Sequence, residues 1–391
     1  MITVLSILAA GLAIPALFAS SYLLGLTLLS IASRVPQLSS RKLRFDVIVP
    51  AHNEATLIAK VVTNLLRIDW PRENFRVVVV ADNCNDATAS LARAAGAEVL
   101  ERQHDTLRGK GYALEYAFRA SQQLARADAV VVIDADSEVS TNLLAACAAR
   151  IQSGAHAVQV HYGVLDPHSS WRTRLMCIAM TAFHKLRSRG RERLRLSCGL
   201  RGNGWCVTHA LLQRVPYQSF SLAEDIEYGI ELGLAGYRVH YADEAYVDAE
   251  MVSDTQAAAT QRRRWEHGRL QLISSKTLVL LKAAYRQRNA VCLDLALDLM
   301  VLPLSYVALN VAALTACAVL LAVGGAYQWL WPSALCVAAL LLYVLRGWQL
   351  SGMGAIGLFD LARAPFFVLW KVILMLKPRE SEWIRTKRRA Q

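Results

Sequence analysis

Two aspartates, Asp134 and Asp136, close the hydrophobic run Val130-Val-Val-Ile-Asp-Ala-Asp136. Carboxylates at that spacing on a strand end can hold one divalent cation together with a substrate diphosphate. Hard cations take oxygen ligands, and Mg2+ or Mn2+ usually shares its shell with phosphate. Such an ion stabilises the charge that builds on a departing nucleoside diphosphate. A solvated strand end with two acids has the same short pattern, so the pair needs company. Leu222-Ala-Glu-Asp225 opens a helical stretch, where Glu224 or Asp225 could take a proton from an attacking hydroxyl; an acidic pair complementing the helix dipole is the plainer reading. Asp82-Asn-Cys-Asn-Asp86 follows a second apolar run, where a carboxylate can receive the donors of a base or ribose, or simply shape an Asn/Asp turn. Arg108-Gly-Lys-Gly111 sets cations and open backbone at a helix start. Gln261-Arg-Arg-Arg-Trp265 offers guanidinium groups to a diphosphate and an indole to a sugar face. The alternative there is a basic juxtamembrane helix.

These residues require a scaffold. Phe45–Pro50, Arg76–Asp82, Ala97–Leu100, Ala129–Asp134 and Ala155–Tyr162 read as strands, with helical stretches between most of them. Val/Ile-rich strands alternating with helices predict an α/β domain built on a mainly parallel, Rossmann-like sheet covered on both faces. Ligands of such sheets sit beyond the carboxyl ends of the strands, where Asn53, Glu54, Asp82, Asp134 and Asp136 fall. The rest of the chain is far more apolar. Residues 2–33 carry no charge and predict a transmembrane helix; Arg34, Arg41, Lys42 and Arg44 follow it, which argues against a signal peptide and places the next domain in the cytoplasm. Residues 299–323 and 331–345 predict two further spans. The stretch 355–376, with Asp360, Arg363, Pro365 and Lys371, predicts an interfacial helix that leaves the basic tail cytoplasmic. The expected layout is a membrane helix over 1–33, a catalytic domain over 34–290, and transmembrane and interfacial helices over 291–391.

In this order the segments resemble the membrane-bound branch of glycosyltransferase family two, which includes cellulose, hyaluronan and chitooligosaccharide synthases and bacterial exopolysaccharide glycosyltransferases. The resemblance is carried by Val49-Pro-Ala-His-Asn-Glu54, Val80-Ala-Asp-Asn-Cys-Asn-Asp86, Arg108-Gly-Lys-Gly-Tyr-Ala-Leu114, Asp134-Ala-Asp136, Gly202-Asn-Gly204, Glu224-Asp225, Gln261 to Trp265, and Glu382-Trp-Ile-Arg-Thr386. It implies a GT-A fold and an inverting, Mg2+- or Mn2+-dependent transfer from a UDP-sugar. Pro50, Ala51 and Glu54 would line the nucleotide base, Asp82 would contact the nucleotide, and Lys110 the base or diphosphate. Asp134 and Asp136 would hold sugar nucleotide and metal, and Asp225, beside Glu224, would be the base. Gln261, Arg264 and Trp265 would close over diphosphate and acceptor, while Gly202, Asn203 and Gly204 would shape the acceptor entrance. Ala223 stands where cellulose synthases carry threonine, the spans are few, and no cyclic-dinucleotide-binding domain follows.

The functional expectation is a glycosyltransferase of the inner (plasma) membrane with a cytoplasmic catalytic domain. It would act on a glycan or lipid-linked acceptor in extracellular polysaccharide biosynthesis, with membrane lipids and polysaccharide export machinery as partners. A single-transfer glycolipid synthase resembling ceramide glucosyltransferase is the near alternative, and a catalytically inactive membrane scaffold the distant one. The net charge of +12 suits phosphorylated ligands and an anionic leaflet. No zinc-finger, RNA-recognition or helix-turn-helix pattern supports a nucleic-acid partner. Eight cysteines without C-x-x-C spacing suit a reducing compartment. His52, His161, His184 and His267 show no metal-ligand spacing. Arg187, Arg189, Arg191, Arg193 and Arg195 read as an exposed basic loop, with lipid phosphates as the alternative partner.

Overall fold

The computed structural model describes residues 2–250, 255–366 and 368, and for residues 255–266 the backbone alone. The expected motif at Glu382–Thr386 and the basic tail lie outside the described residues. The chain divides into two compact units; among described residues, one holds 32–166 and 195–296, the other 2–31, 167–194 and 297–366. Residues 167–194, expected within the catalytic stretch, therefore group with the apolar helices.

The larger unit is built on one sheet of eight strands. They are β1 (Phe45–Ala51), β2 (Phe75–Asp82), β3 (Glu98–Arg102), β4 (Ala129–Val132), β5 (Ser137–Val139), β6 (Ala157–Leu165), β7 (Trp205–Thr208) and β8 (Val239–Glu250). Their order is β3-β2-β1-β4-β7-β6-β8-β5. β1 runs parallel to β2 and β4, and β2 parallel to β3. β1, β2 and β4 carry Val/Ile runs because parallel strands inside the sheet are covered on both faces, whereas the edge strand β3 holds two glutamates and an arginine. The sheet is nonetheless mixed: β7 lies antiparallel between β4 and β6, and β5 pairs antiparallel with β8. The sequence pattern alone does not reveal β5, β7 or β8, because β5 and β7 are short and β8 breaks its alternation at an irregularity and carries four acids.

Behind the central strands, Phe118 from the helix Lys110–Leu124 meets Tyr217 edge-on at 5.2 Å, and Tyr217 meets Tyr228 at 4.9 Å. Trp205 of β7 is fully buried among them. Gly204, just before β7, has φ +69°, and a Cβ there would lie 2.4 Å from Val247 Cγ1 and 2.7 Å from Val160 Cγ2. A Gly204→Ala substitution is therefore expected to destabilise this unit by about 2 kcal/mol or more, from overpacking plus left-handed backbone strain. A lowered thermal transition of the detergent-solubilised protein checks this; an unchanged one defeats it.

In the smaller unit, Ile2–Leu28, Leu304–Val323 and Tyr327–Ser351 are each long and apolar enough to cross a membrane. Pro15 sits inside the first helix without ending it. Ala9, Ala13 and Ala16 are buried against a cluster that includes Val307, Val311 and Leu314; small side chains let helices of an apolar bundle approach closely. The arginine run is not the exposed loop expected. It forms the helix Arg187–Arg193, in which Arg187 and Arg191 are buried and only Arg193 is exposed, with Arg195 exposed beyond it. Arg187 and Arg191 share Asp298 Oδ1 at 3.2 and 2.6 Å, and donate to Tyr343 and Tyr22 hydroxyls at 3.0 and 2.6 Å. Cations enter an apolar setting only with partners, and these lie more than a hundred residues away. Within the expected interfacial stretch, Gly354–Leu361 is helical; Asp360 accepts from Arg174 at 2.5 Å and Arg363 at 2.9 Å.

Candidate active site

The site lies at the carboxyl ends of the parallel strands in the larger unit. After β1 and β2 the chain turns through Asn53 and Asn83, both with positive φ (+56° and +50°). Asparagine tolerates this conformation because its short amide can bond locally. The two turns are tied together: His52 Nδ1 lies 2.8 Å from the Asp82 carbonyl, and Asn53 Oδ1 accepts from the Asn85 amide at 2.9 Å. Glu54 N–H donates to Thr88 Oγ1 at 2.8 Å. Pro50, Ala51, Glu54 and Asp82 thus share one rim, with Ala51 and Asp82 buried and Pro50 and Glu54 half-buried.

Asp82 has a partner that local pattern does not reveal. Arg102 ends β3 directly opposite Asp82 in the β2–β3 register, and its guanidinium donates to Asp82 Oδ1 at 2.6 Å. Arg102 also donates to the Leu107 carbonyl at 2.7 Å and lies 5.8 Å from the centre of the Tyr112 ring. It therefore orders the loop leading to Lys110.

Lys110 starts the helix Lys110–Leu124, and its ammonium is the hub of the site. It donates to Asp134 Oδ1 at 2.6 Å and to the Gly202 carbonyl at 2.6 Å, and stands 3.8 Å from Glu224 Oε1. Burial disfavours the ammonium charge, but Asp134, Glu224 and Asp225 outweigh it and hold Lys110 above the ordinary lysine value. Glu224 and Asp225 open the helix Glu224–Leu234. Burial pushes the Glu224 carboxyl up to about 7, with Lys110 opposing and Asp225 adding to the rise. Burial likewise raises Asp225, opposed chiefly by Lys110 and then by backbone N–H groups and Arg201. Asp225 borders open backbone, since a Cβ on Gly202 (φ +86°) would lie 3.4 Å from Asp225 Oδ2. The missing side chain leaves that carboxylate room for an incoming group.

Tyr162, on β6 and 8% exposed, joins the cluster without any sequence signal of its own. Burial, followed by Asp134, Asp136 and Asp225, raises its hydroxyl well above the usual tyrosine value, so it stays a neutral phenol. Asn203, expected at the acceptor entrance, is fully buried, and its amide faces the Asp134-Ala-Asp136 turn. Gln261, Arg264 and Trp265 fall on the helix Thr255–Gln287, but their side chains lie outside the described residues. That helix crosses the start of the acidic pair: a Cβ on Gly268 would lie 3.1 Å from Ala223 Cβ and 3.2 Å from the Ala223 nitrogen.

Among the described residues no group of three or more His, Cys, Asp or Glu side chains could hold a metal by itself. Two carboxylates at a strand end, beside a lysine suited to phosphate, fit a hard cation that completes its shell with substrate oxygens. The arrangement can thus bind an anionic, metal-chelated ligand on the Lys110 side and accept a proton on the Asp225 side.

Residues 43–268 match the family described as glycosyltransferase like family 2. A probable glycosyltransferase, YdaM, of Bacillus subtilis (strain 168) is 22% identical over 234 residues, covering 58% of this chain and 55% of the relative. The beta-monoglucosyldiacylglycerol synthase of Synechocystis sp. (strain ATCC 27184 / PCC 6803 / Kazusa) is 28% identical over 236 residues, covering 57% and 47%. The chain thus spans about half the length of these curated relatives. Among solved structures, a mannosyltransferase from Pyrobaculum calidifontis in complex with GDP-Man and Mn2+ is similar in fold, with a TM-score of 0.53 and 20% identity over 89% of this chain and 99% of that one.

Proposed function

The chain belongs to glycosyltransferase like family 2, and on that premise we propose that it moves a sugar from a UDP-sugar to a lipid or lipid-linked acceptor, with inversion, at the cytoplasmic face of a membrane. The observation that carries this reading is Lys110 held among Asp134, Glu224 and the Gly202 carbonyl. A lysine bridging a strand-end carboxylate and a raised-pKa acidic pair supports this reading, because it would set a cation for the diphosphate beside a candidate base. In the proposed reaction Asp225 takes the proton of the acceptor hydroxyl. The freed oxygen bonds to the anomeric carbon as the bond to the diphosphate breaks on the opposite side. Asp134 and Asp136 would hold Mg2+ or Mn2+, whose charge would stabilise the departing diphosphate. Pro50, Ala51, Glu54 and Asp82 would bind the nucleoside, and Gln261, Arg264 and Trp265 would close over diphosphate and acceptor.

Three helices apolar enough to cross a membrane, and relatives named as beta-monoglucosyldiacylglycerol synthases, support a lipid acceptor and a single transfer. Arg34, Arg41, Lys42 and Arg44 after the first apolar helix support the cytoplasmic placement. Extracellular polysaccharide synthesis, with export machinery as a partner, remains the second reading because the resemblance to polymer synthases extends over the same motifs. An inactive scaffold has no physical need for a half-buried lysine with three surrounding acids.

The test is incubation of membranes bearing the protein with a panel of UDP- and GDP-sugars and Mg2+ or Mn2+, reading nucleotide release and product size. One organic-extractable product supports the proposal, and a polymer ladder supports the second reading. Chelation is expected to abolish transfer and added Mn2+ to restore it. Undiminished transfer in chelator sinks the metal role of Asp134 and Asp136, and no transfer from any donor sinks the enzyme reading.

A further inference from the structure

Asn203 sits on the loop 201–204 between the two halves of the candidate site. Its amide orientation follows from its partners. The Asp134 backbone N–H can only donate, so it must face Asn203 Oδ1, at 3.0 Å. The amide nitrogen is then turned to Ser137 Oγ, at 2.7 Å, and can only donate to it. Ser137 Oγ, having accepted that hydrogen bond, sends its own proton to Asp136 Oδ1, at 3.1 Å. The result is a directed chain from Asn203 through Ser137 to one carboxylate, with a second anchor on the backbone of the other. Both Asn203 and Ser137 are buried, at 0% and 1% exposure.

The loop is itself held from behind. Gln159, also buried, accepts from the Arg201 N–H at 2.9 Å and donates to the Asn203 carbonyl at 2.7 Å. The Gly204 N–H donates to the Val132 carbonyl at 3.0 Å, joining the loop to the strand that ends at the aspartates. On its front, the Gly202 carbonyl accepts from Lys110, which also bonds Asp134 Oδ1. Both aspartates are thus oriented by one loop, whose next face borders Asp225.

We propose that Asn203 is a positioning residue for Asp134 and Asp136, acting on the cation through them and not on the acceptor. This rests on the metal-dependent transfer proposed above. Groups that orient metal-binding carboxylates typically change metal affinity or activity about 10- to 100-fold when replaced. Asn203→Ala removes both links without adding charge beside the aspartates: the Asp134 N–H loses its acceptor, and Ser137 loses its donor, so its hydroxyl is free to turn away from Asp136.

The experiment measures Mn2+ binding to the detergent-solubilised full chain with UDP present, by titration calorimetry, alongside UDP binding without metal and the KM values for donor and acceptor. Asn203→Ala is expected to weaken Mn2+ binding about 10-fold or more, with metal-free UDP binding and acceptor KM unchanged. Ser137→Ala, which keeps the Asn203 bond to the Asp134 N–H but removes the hydroxyl that links the Asn203 amide to Asp136, is expected to weaken Mn2+ in the same direction. Thermal melting identifies a variant that fails to fold, and Ser137→Ala then decides alone. Wild-type Mn2+ affinity in the folded variants, or a raised acceptor KM at unchanged Mn2+ affinity, overturns the positioning role. If the wild-type chain binds no Mn2+ beside UDP, the metal reading itself falls and this inference with it.

Discussion

Asp225→Asn is expected to lower kcat by about 10²- to 10⁴-fold, the usual contribution of a general base, while leaving metal-dependent UDP binding near normal. Asparagine keeps the shape of the carboxylate and removes its capacity to hold a proton. The geometry favours Asp225 over Glu224 for this role. Glu224 faces the Lys110 ammonium at 3.8 Å, whereas Asp225 borders the space left by the absent side chain of Gly202. A Glu224→Gln variant is the natural comparison, because it removes a charge beside Lys110 without removing the proposed proton acceptor. The two measurements that matter are single-turnover transfer and UDP affinity. Turnover of Asp225→Asn within a few-fold of wild type would remove Asp225 as base. Loss of UDP binding in step with turnover would make it a structural residue instead.

The second large effect concerns pH and Lys110. The base must be ionised to accept a proton, and burial holds Glu224 up to about 7 and Asp225 above its ordinary value. Transfer should therefore fall with pH along a limb that lies above the ordinary carboxylate range, with a midpoint belonging to the acidic pair as a whole. Lys110 is the largest influence opposing the rise at both carboxyls. In Lys110→Met that opposition is gone, so protonation extends to higher pH and the acidic limb of kcat/KM should move alkaline by about one pH unit or more. Donor KM should also rise, since the variant lacks the cation proposed to bind the diphosphate. At pH 7 the two effects act in the same direction. Raising the pH should recover the part due to protonation and leave the binding defect. A variant profile superimposable on that of the wild type would show that Lys110 does not set the ionisation of the pair.

Several parts of this arrangement are legible in the chain itself. The valine runs ending at Pro50, Asp82 and Asp134 announce buried parallel strands, and the polar residues after them fall where such sheets bind ligands. The uncharged first helix and the two later apolar helices are equally plain, because burial or lipid contact along a continuous segment leaves a continuous apolar record. Gly202-Asn-Gly204 is visible as a motif, but its role is not. The partners of Asn203 are Asp134 and Ser137, some 69 and 66 residues earlier, and only the antiparallel seating of β7 against β4 brings them together.

The same distinction explains the other differences. The arginines at 187 and 191 look solvent-exposed in isolation, since a lone buried guanidinium is costly; Asp298, Tyr22 and Tyr343 offset part of that cost once packing supplies them. Arg102 meets Asp82 because two neighbouring strands share a register, and Tyr162 meets the acids because β6 enters the sheet beyond β7. By itself the sequence determined five of the eight strands, which helices are apolar enough for a membrane, and which residue types could bind a chelated diphosphate. Tertiary structure alone decided which polar atoms meet. Local periodicity records how much of a segment is buried, whereas hydrogen bonds and ion pairs between distant segments depend on strand order and register, which no local pattern encodes.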